Sequence, residues 1–385
     1  MIARRFALYT PLDPGFVGGL RSWIGSFWTK YLALRDGTLD VYHTGTRPWA
    51  AVSRNSDDEG SGRIRYYRLR GRAIPGSAAR IARVGELAEC LSSADVLYVD
   101  NGYAFQDVVG LTAARRAGVA AISGHHSVIR SSWSHNIIWD FVGRRVVRHF
   151  NAVHVLNSDD EAYLQRLGAK GVHWVPIAID IERYTPRERF GTFTILFVGR
   201  LHKQKGIDRL VSLIGRSREM LREGRVQFIV AGGGPELRLL ETVRDVPGVR
   251  LVGAVSRSDC AELMGRSHAL LMPSRSETFG IVAAEALASG LFVLASDVPG
   301  VRDVLRGTCG ELIRTPDDPL AWVGALTRTV AMFEKRHDDF VRGSVEARSS
   351  VVGRFSFDSV ASGFDNLVND ALTDHCCGRH VATAG

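Results

Sequence analysis

Two carboxylates eight residues apart, Glu277 and Glu285, stand in the stretch Pro273-Ser274-Arg275-Ser276-Glu277-Thr278-Phe279-Gly280-Ile281-Val282-Ala283-Ala284-Glu285. The apolar run 269–272 before it predicts a short buried strand, and the small-residue run after it predicts a helix closed by Gly290. Thr278 or Ser276 is the expected N-cap, and Gly280 lets a ligand come close to the first turn. The N–H groups of that turn have no partner inside the helix, so they act as anion donors. Glu285 falls about two turns along, on the same face as Glu277. One ligand with hydroxyls and a negative charge could therefore meet both carboxylates and the free N–H groups. Taken alone, the stretch also fits a βα unit whose carboxylates are incidental.

Cations stand where such a ligand would need them. Arg200 and Lys205 follow a predicted strand at 193–199, and Gly232-Gly233-Gly234-Pro235 follows another at 226–231. Arginine and lysine against a helix N-terminus suit a diphosphate, and carboxylates suit the hydroxyls of a sugar or ribose. Earlier in the chain, His125-His126-Ser127 is delivered at the end of a strand predicted over 119–124, where an ordinary loop histidine is the alternative. Gly18-Gly19, between a strand at 6–10 and a helix at 23–34, is either a phosphate-approach loop or a plain turn.

These residues need a scaffold of strands and helices, and composition allows it. A chain of 385 residues with 45% hydrophobic content suits two domains. There is no apolar run of roughly eighteen residues, so no membrane-spanning helix is expected, and the N-terminus lacks the apolar region of a secretory signal. Five scattered cysteines argue for a reducing compartment without disulfides. The net charge of +8 lies mostly in the first half, for example at Arg63, Arg65, Arg68, Arg70 and Arg72, and again at Arg144, Arg145 and Arg148. That excess suits an anionic membrane surface or a phosphate-bearing acceptor, or is simply a solvated basic face.

Strand and helix signals alternate along the whole chain. The first half adds strands at 40–43, 64–69, 95–100, 152–158 and 172–176, with helices at 77–91, 108–118, 133–150 and 159–167. A polar, proline-marked linker is expected at 177–188. The rhythm then restarts, with later helices at 319–335 and 357–372. The expected fold class is α/β, a parallel doubly wound sheet in each half, with a ligand in the cleft where the two halves face each other. The domains read as 1–180, 181–355, a last helix at 356–373 crossing back to the first domain, and a disordered tail at 374–385. The run Asp374 to His380 is rich in Cys and His but lacks the paired spacing of a structural zinc site.

Taken together, Gly199-Arg200-Leu201 with Lys205-Gly206, then Ala231 to Pro235, then Pro273-Ser274 with Glu277-x7-Glu285, resemble the retaining glycosyltransferases of family 4, which have the GT-B fold. The motifs are specific over 195–300 and looser in the first half, where Gly18-Gly19 and His125-His126-Ser127 carry the likeness. Arg354-Phe355-Ser356 and the helix after it resemble the family's last helix. The resemblance implies transfer of a hexose-type sugar from a UDP- or GDP-sugar, with retention, to a glycan, lipid-linked or small-molecule acceptor. It implies no metal and no cofactor beyond the donor, no nucleic acid partner, and a cytoplasmic protein able to sit on the inner face of a membrane. Arg200 and Lys205 would offset diphosphate charge, and Glu277 would hold sugar hydroxyls beside the N–H groups of Phe279, Gly280 and Ile281. Glu285 would take the ribose, backbone at Gly253 and Val255 the base, and His125, ahead of His126, the donor sugar; Gly18 and Gly19 would lie on the acceptor side. Two departures touch hinge and packing positions. Pro176-Ile177-Ala178-Ile179-Asp180 stands where the family often has Pro-Asn-Gly-Val-Asp, and Leu291-Phe292 replaces a proline after Gly290. A second expectation is a catalytically silent GT-B protein that binds sugar nucleotides as a partner or sensor, which the joint presence of Arg200, Lys205, Glu277 and Glu285 disfavours.

Overall fold

A computed structural model of the chain describes residues 4–11, 23–44, 62–73, 80–100, 104–126 and 139–383. The chain divides into two compact units, Met1–Pro176 with Ala361–Gly385, and Ile177–Val360. The first division falls at the start of the expected linker, and the last helix, Phe357–Thr383, begins in the second unit and runs on in the first.

In the first unit the main sheet contains β1 (Arg5–Thr10), β2 (Thr38–His43) and β3 (Ile64–Arg68). A separate hairpin pairs β4 (Gly71–Ala73) antiparallel with β5 (Arg80–Ala82). The main sheet continues with β6 (Val96–Val99), β7 (Ala120–His125), β8 (Ala152–Val155) and β9 (Val172–Trp174). Its order is β3-β2-β1-β6-β7-β8-β9, and every pairing is parallel. Parallel strands are covered on both faces, and accordingly β6 and β8 are buried along their length. The last helix is tied to this unit by Phe364 against Trp28 and Tyr31, and by an Arg35–Asp365 ion pair.

The second unit repeats the plan with β10 (Phe193–Val198), β11 (Val226–Ala231), β12 (Val249–Gly253), β13 (Ala269–Met272), β14 (Phe292–Ser296) and β15 (Gly310–Ile313). The order is β12-β11-β10-β13-β14-β15, again all parallel. Along β10, Phe193, Ile195 and Phe197 point into one core shared with the helices Ile207–Arg216 and Pro319–Lys335. In each sheet the strand order reverses direction beside the first strand, between β1 and β6 and between β10 and β13. Ligands of open parallel sheets bind beyond the carboxyl ends of the strands at such a point.

Three local expectations change. The helix predicted over 77–91 is confined to Val84–Cys90. Residues 80–82 are strand instead, because Arg80 returns its guanidinium to the carbonyl of Gly71 while the Ala82 N–H donates to the Tyr9 hydroxyl. The helix predicted over 133–150 enters the described residues at Trp139, as a π-helical turn followed by short α and 3-10 turns. At the other end, helix continues through Thr383 where the sequence suggested a free tail. There Asp374 accepts from Asn151 and the His375 ring bonds the Gly118 carbonyl.

Candidate functional site

At the β10–β13 reversal two loops are knitted together. The first runs from Gly199 to Gly206 and the second from Pro273 to Gly280. The Arg275 N–H donates to the Gln204 carbonyl at 2.7 Å, and the Gln204 amide donates to both the carbonyl and hydroxyl of Ser276. Arg275 donates to the Lys203 carbonyl and pairs with Asp208 at 2.7 Å, which holds the Asp208 carboxyl below the ordinary range. Beneath them the mostly buried Arg209 donates to the Pro273 carbonyl and pairs with Asp317. Gly206 is required here: its φ is +69°, and a Cβ would stand 2.0 Å from the Pro273 carbonyl oxygen.

This frame brings Lys205 and Glu277 together. The Lys205 ammonium lies 2.5 Å from Glu277 Oε1, and the Ser274 hydroxyl donates to the same oxygen at 2.7 Å. Both side chains are mostly but not wholly covered, with 21% and 12% exposure. Arg200 lies on the first loop, exposed, and its guanidinium makes no ion pair or hydrogen bond among the described residues. After Glu277 the chain passes through buried Phe279, packed on Phe355, and then Gly280, whose φ of +87° starts the helix Ile281–Ala288. The N–H groups of Phe279, Gly280 and Ile281 donate to no backbone carbonyl among the described residues, so the first turn keeps its donors. A loop with one paired and one unpaired cation beside open N–H groups is built for an anion.

Glu285 stands apart from the Lys205–Glu277 pair. Burial pushes its carboxyl up to about 7, while a hydrogen bond with Tyr184 and the more distant Arg257 and Arg183 pull the other way. Gly253 ends β12, exposed, and its carbonyl accepts from Gly232. Val255 follows, half-buried, just before Ser256 caps the helix Arg257–Arg266. Thus one edge of the second sheet carries Arg200, Lys205, Gly253, Val255, Glu277 and Glu285. Only Lys205 and Glu277 touch.

In the first unit, the two histidines, the last residue of β7 and the one after it, have different surroundings. His125 is 2% exposed, bonded to Ser123 and set edge-on to Trp139. Ser123 donates in turn to Asp107, whose carboxyl burial lifts to about 8. His126 follows the carboxyl end of β7, 3.2 Å from Asp100, with 15% of its side chain exposed. Its Nε2 is 2.8 Å from the Tyr98 hydroxyl, which also meets His154 Nδ1 at 2.7 Å. His154 Nε2 faces the Val175 carbonyl, which can only accept, so His154 is protonated there and its Nδ1 accepts from Tyr98. Gly124 makes this chain possible, since a Cβ there would sit 2.1 Å from the Tyr98 hydroxyl. Gly18, Gly19 and Ser127 lie outside the described residues.

Sequence reasoning missed Gln204, Arg209, Ser274 and Tyr184. Ser274 was within reach, three residues before Glu277. Nothing in the local sequence signals Tyr184, which comes to Glu285 from a hundred residues away.

Comparison with known proteins fits this edge of the second unit. The family model described as glycosyl transferases group 1 matches residues 192–331. The gpi3 subunit of phosphatidylinositol N-acetylglucosaminyltransferase from Schizosaccharomyces pombe is 33% identical over 40% of this chain and 35% of its own. A GDP-mannose-dependent alpha-mannosyltransferase of Mycobacterium tuberculosis is 29% identical over 64% of this chain and 65% of its own. The chain thus spans about a third to two thirds of the length of these curated relatives. Among solved structures, Anabaena HepE in complex with UDP and glucose superposes with a TM-score of 0.72 at 16% identity, over 95% of this chain and 99% of that one. The fold is GT-B, residues 192–331, within the second unit, match the glycosyl transferases group 1 model, and the two curated relatives are glycosyltransferases.

Proposed function

We propose that the protein is a retaining glycosyltransferase that moves a hexose-type sugar from a UDP- or GDP-sugar to a glycan, lipid-linked or small-molecule acceptor, without a metal. The observation that carries this is the Lys205–Glu277 contact at the strand-order reversal, with Arg200 unpaired beside it. In the reaction the bond from the anomeric carbon to the diphosphate breaks, and one to an acceptor oxygen forms. Negative charge grows on the departing diphosphate, and fixed cations with helix N–H groups stabilise it without reorganising. Lys205 and Arg200 serve that end, with the N–H groups of Phe279, Gly280 and Ile281. Glu277, oriented by Ser274 and Lys205, accepts from sugar hydroxyls. Glu285 accepts from the ribose, and backbone at Gly253 and Val255 meets the base. In the first unit, His125 at the end of β7 is covered, and His126 just after it reaches solvent.

The acceptor reading favoured by charge is lipid-linked, on a cytoplasmic membrane face. Arg144, Arg145 and Arg148 are exposed beside Phe141, which is 68% exposed. Among the described residues no helix is long and apolar enough to cross a membrane, so attachment would be peripheral. A thermal-shift screen against nucleoside diphosphates, followed by radiolabelled sugar donors of the stabilising base, tests the proposal. Stabilisation by UDP or GDP and slow donor hydrolysis are expected; if no donor is bound or turned over, the enzyme reading fails.

A further inference from the structure

The second unit has a cavity of about 450 Å³ whose walls begin at the opposite, amino-terminal ends of the strands, away from the Lys205–Glu277 loops. His268, which immediately precedes β13, lines it together with Phe333, Phe340 and Val345 from two helices. Arg189 and Arg348 also line it. That volume falls within the ~300–1,000 Å³ of small-molecule sites.

The charges in this cavity are one-sided. Arg189 spans the carboxyl ends of two helices, donating to the carbonyls of Gly265 and Ser267 on one and Ser289 and Gly290 on the other. Arg348 donates through one nitrogen to the carbonyls of Tyr184 and Ala288. Helix carboxyl ends carry only partial negative charge, so they offset part of two full cations. Among the described residues neither guanidinium pairs with a carboxylate, and no Asp or Glu lines the cavity. Burial lowers the pKa of both side chains, that of Arg189 to about 10, as expected for cations short of a counter-charge. His268 accepts from the Thr194 N–H through Nδ1, so its neutral ring carries the proton on Nε2 and adds a donor. The nearby charged or titratable groups are His337, which lines the cavity, Cys309, whose thiol is pushed up to about 11 by burial, and Glu346, an exposed carboxylate that acts on Cys309 but does not line the cavity. Apart from Ser344, whose hydroxyl is spent on the Phe340 carbonyl, the remaining wall is hydrocarbon and aromatic ring, and Val341 and Val345 leave the mouth apolar at 45% and 60% exposure.

We propose that this cavity binds a small amphiphilic anion, its acidic head against Arg348 and Arg189 and its acyl or aryl body against Phe333, Phe340 and Val345. The pairing is specific in sign. A neutral chain of equal length fills the same apolar wall but leaves the cations unpaired, and a cationic one adds repulsion.

The test uses the full chain and 1-anilinonaphthalene-8-sulfonate fluorescence, with octanoate, 1-octanol and octylammonium as competitors. Octanoate should displace the dye at a concentration at least about tenfold below the other two, the worth of a charge-assisted hydrogen bond. Val345→Trp fills the exposed mouth without touching the helix-capping cations and should abolish displaceable dye binding while the melting temperature holds. Arg348→Leu should remove the preference for octanoate; because Arg348 also caps a helix, only a variant that melts cooperatively is scored. Equal competition by all three amphiphiles, or dye binding unchanged in Val345→Trp, would overturn the proposal. Nucleotide plays no part in the assay, so failure here leaves the transferase reading standing, and failure of that reading leaves this one.

Discussion

Replacing Glu285 with Gln should flatten the protein's stability between about pH 5 and pH 8. Burial lifts the Glu285 carboxyl from 4.5 to about 7. A carboxyl whose folded value is raised binds its proton more tightly in the folded state. Its stabilising contribution is therefore complete below 4.5 and is lost as pH rises through about 7. At ~1.36 kcal/mol per pH unit that interval sets a ceiling of ~3 kcal/mol. Solvent reaches part of the side chain, so ~2 kcal/mol is the working figure. For a unit of this size the loss corresponds to roughly 4–8 °C in melting temperature. Melts of wild type and Glu285→Gln at both ends of the range measure it, with wild type falling further by that amount. Parallel pH slopes would show that the carboxyl is not held in the covered state. The same group links pH to ligand. Ribose hydroxyls donating to Glu285 favour its ionised form, so UDP or GDP binding near pH 7 should release up to about half a proton per site. Calorimetry in two buffers of different ionisation heat reads that proton. Its absence in wild type, or its persistence in Glu285→Gln, would refute the ribose assignment.

Three further outcomes are expected. Glu277→Gln should cut sugar transfer by ~100-fold or more while nucleoside diphosphate affinity changes little, since the cations and helix N–H groups remain. Arg200→Ala should instead weaken the nucleoside diphosphate itself by roughly tenfold, and calorimetry showing the reverse ranking would mean the two ends of the donor are misassigned. Gly206→Ala should cost ~2–4 kcal/mol in urea unfolding, because it meets both a left-handed backbone and the Pro273 carbonyl; a change under ~0.5 kcal/mol would show that the loops need not approach so closely.

Much of the second sheet was legible because parallel strands covered on both faces write themselves as near-continuous apolar runs, as at 193–198, 226–231 and 292–296. The strand at 80–82 was not, because its state is decided by partners at Tyr9, Thr44 and Gly71 that no local pattern announces. The surroundings of the histidine pair were hidden for another reason. The last strand residue and the one after it have different surroundings, and the cover over His125 comes from where the Trp139 turn packs.

The uneven legibility of the site has one physical cause. Lys205 and Glu277 come from the two loops that flank the strand-order reversal, so fold class alone brings them near each other once their strands are known. What tightens nearness into a 2.5 Å contact is a set of bonds to backbone carbonyls: Gln204 with Ser276, Arg275 with Lys203, Arg209 with Pro273. Every residue offers such a carbonyl, so these partners leave no trace in side-chain pattern. Glu285 shows the same rule at longer range. Its place on the helix follows from the eight-residue spacing, whereas its lifted carboxyl depends on how deeply it is covered and on Tyr184 from a distant segment. Motif spacing therefore identifies which groups can act, and burial with long-range partners decides the protonation state in which they do so.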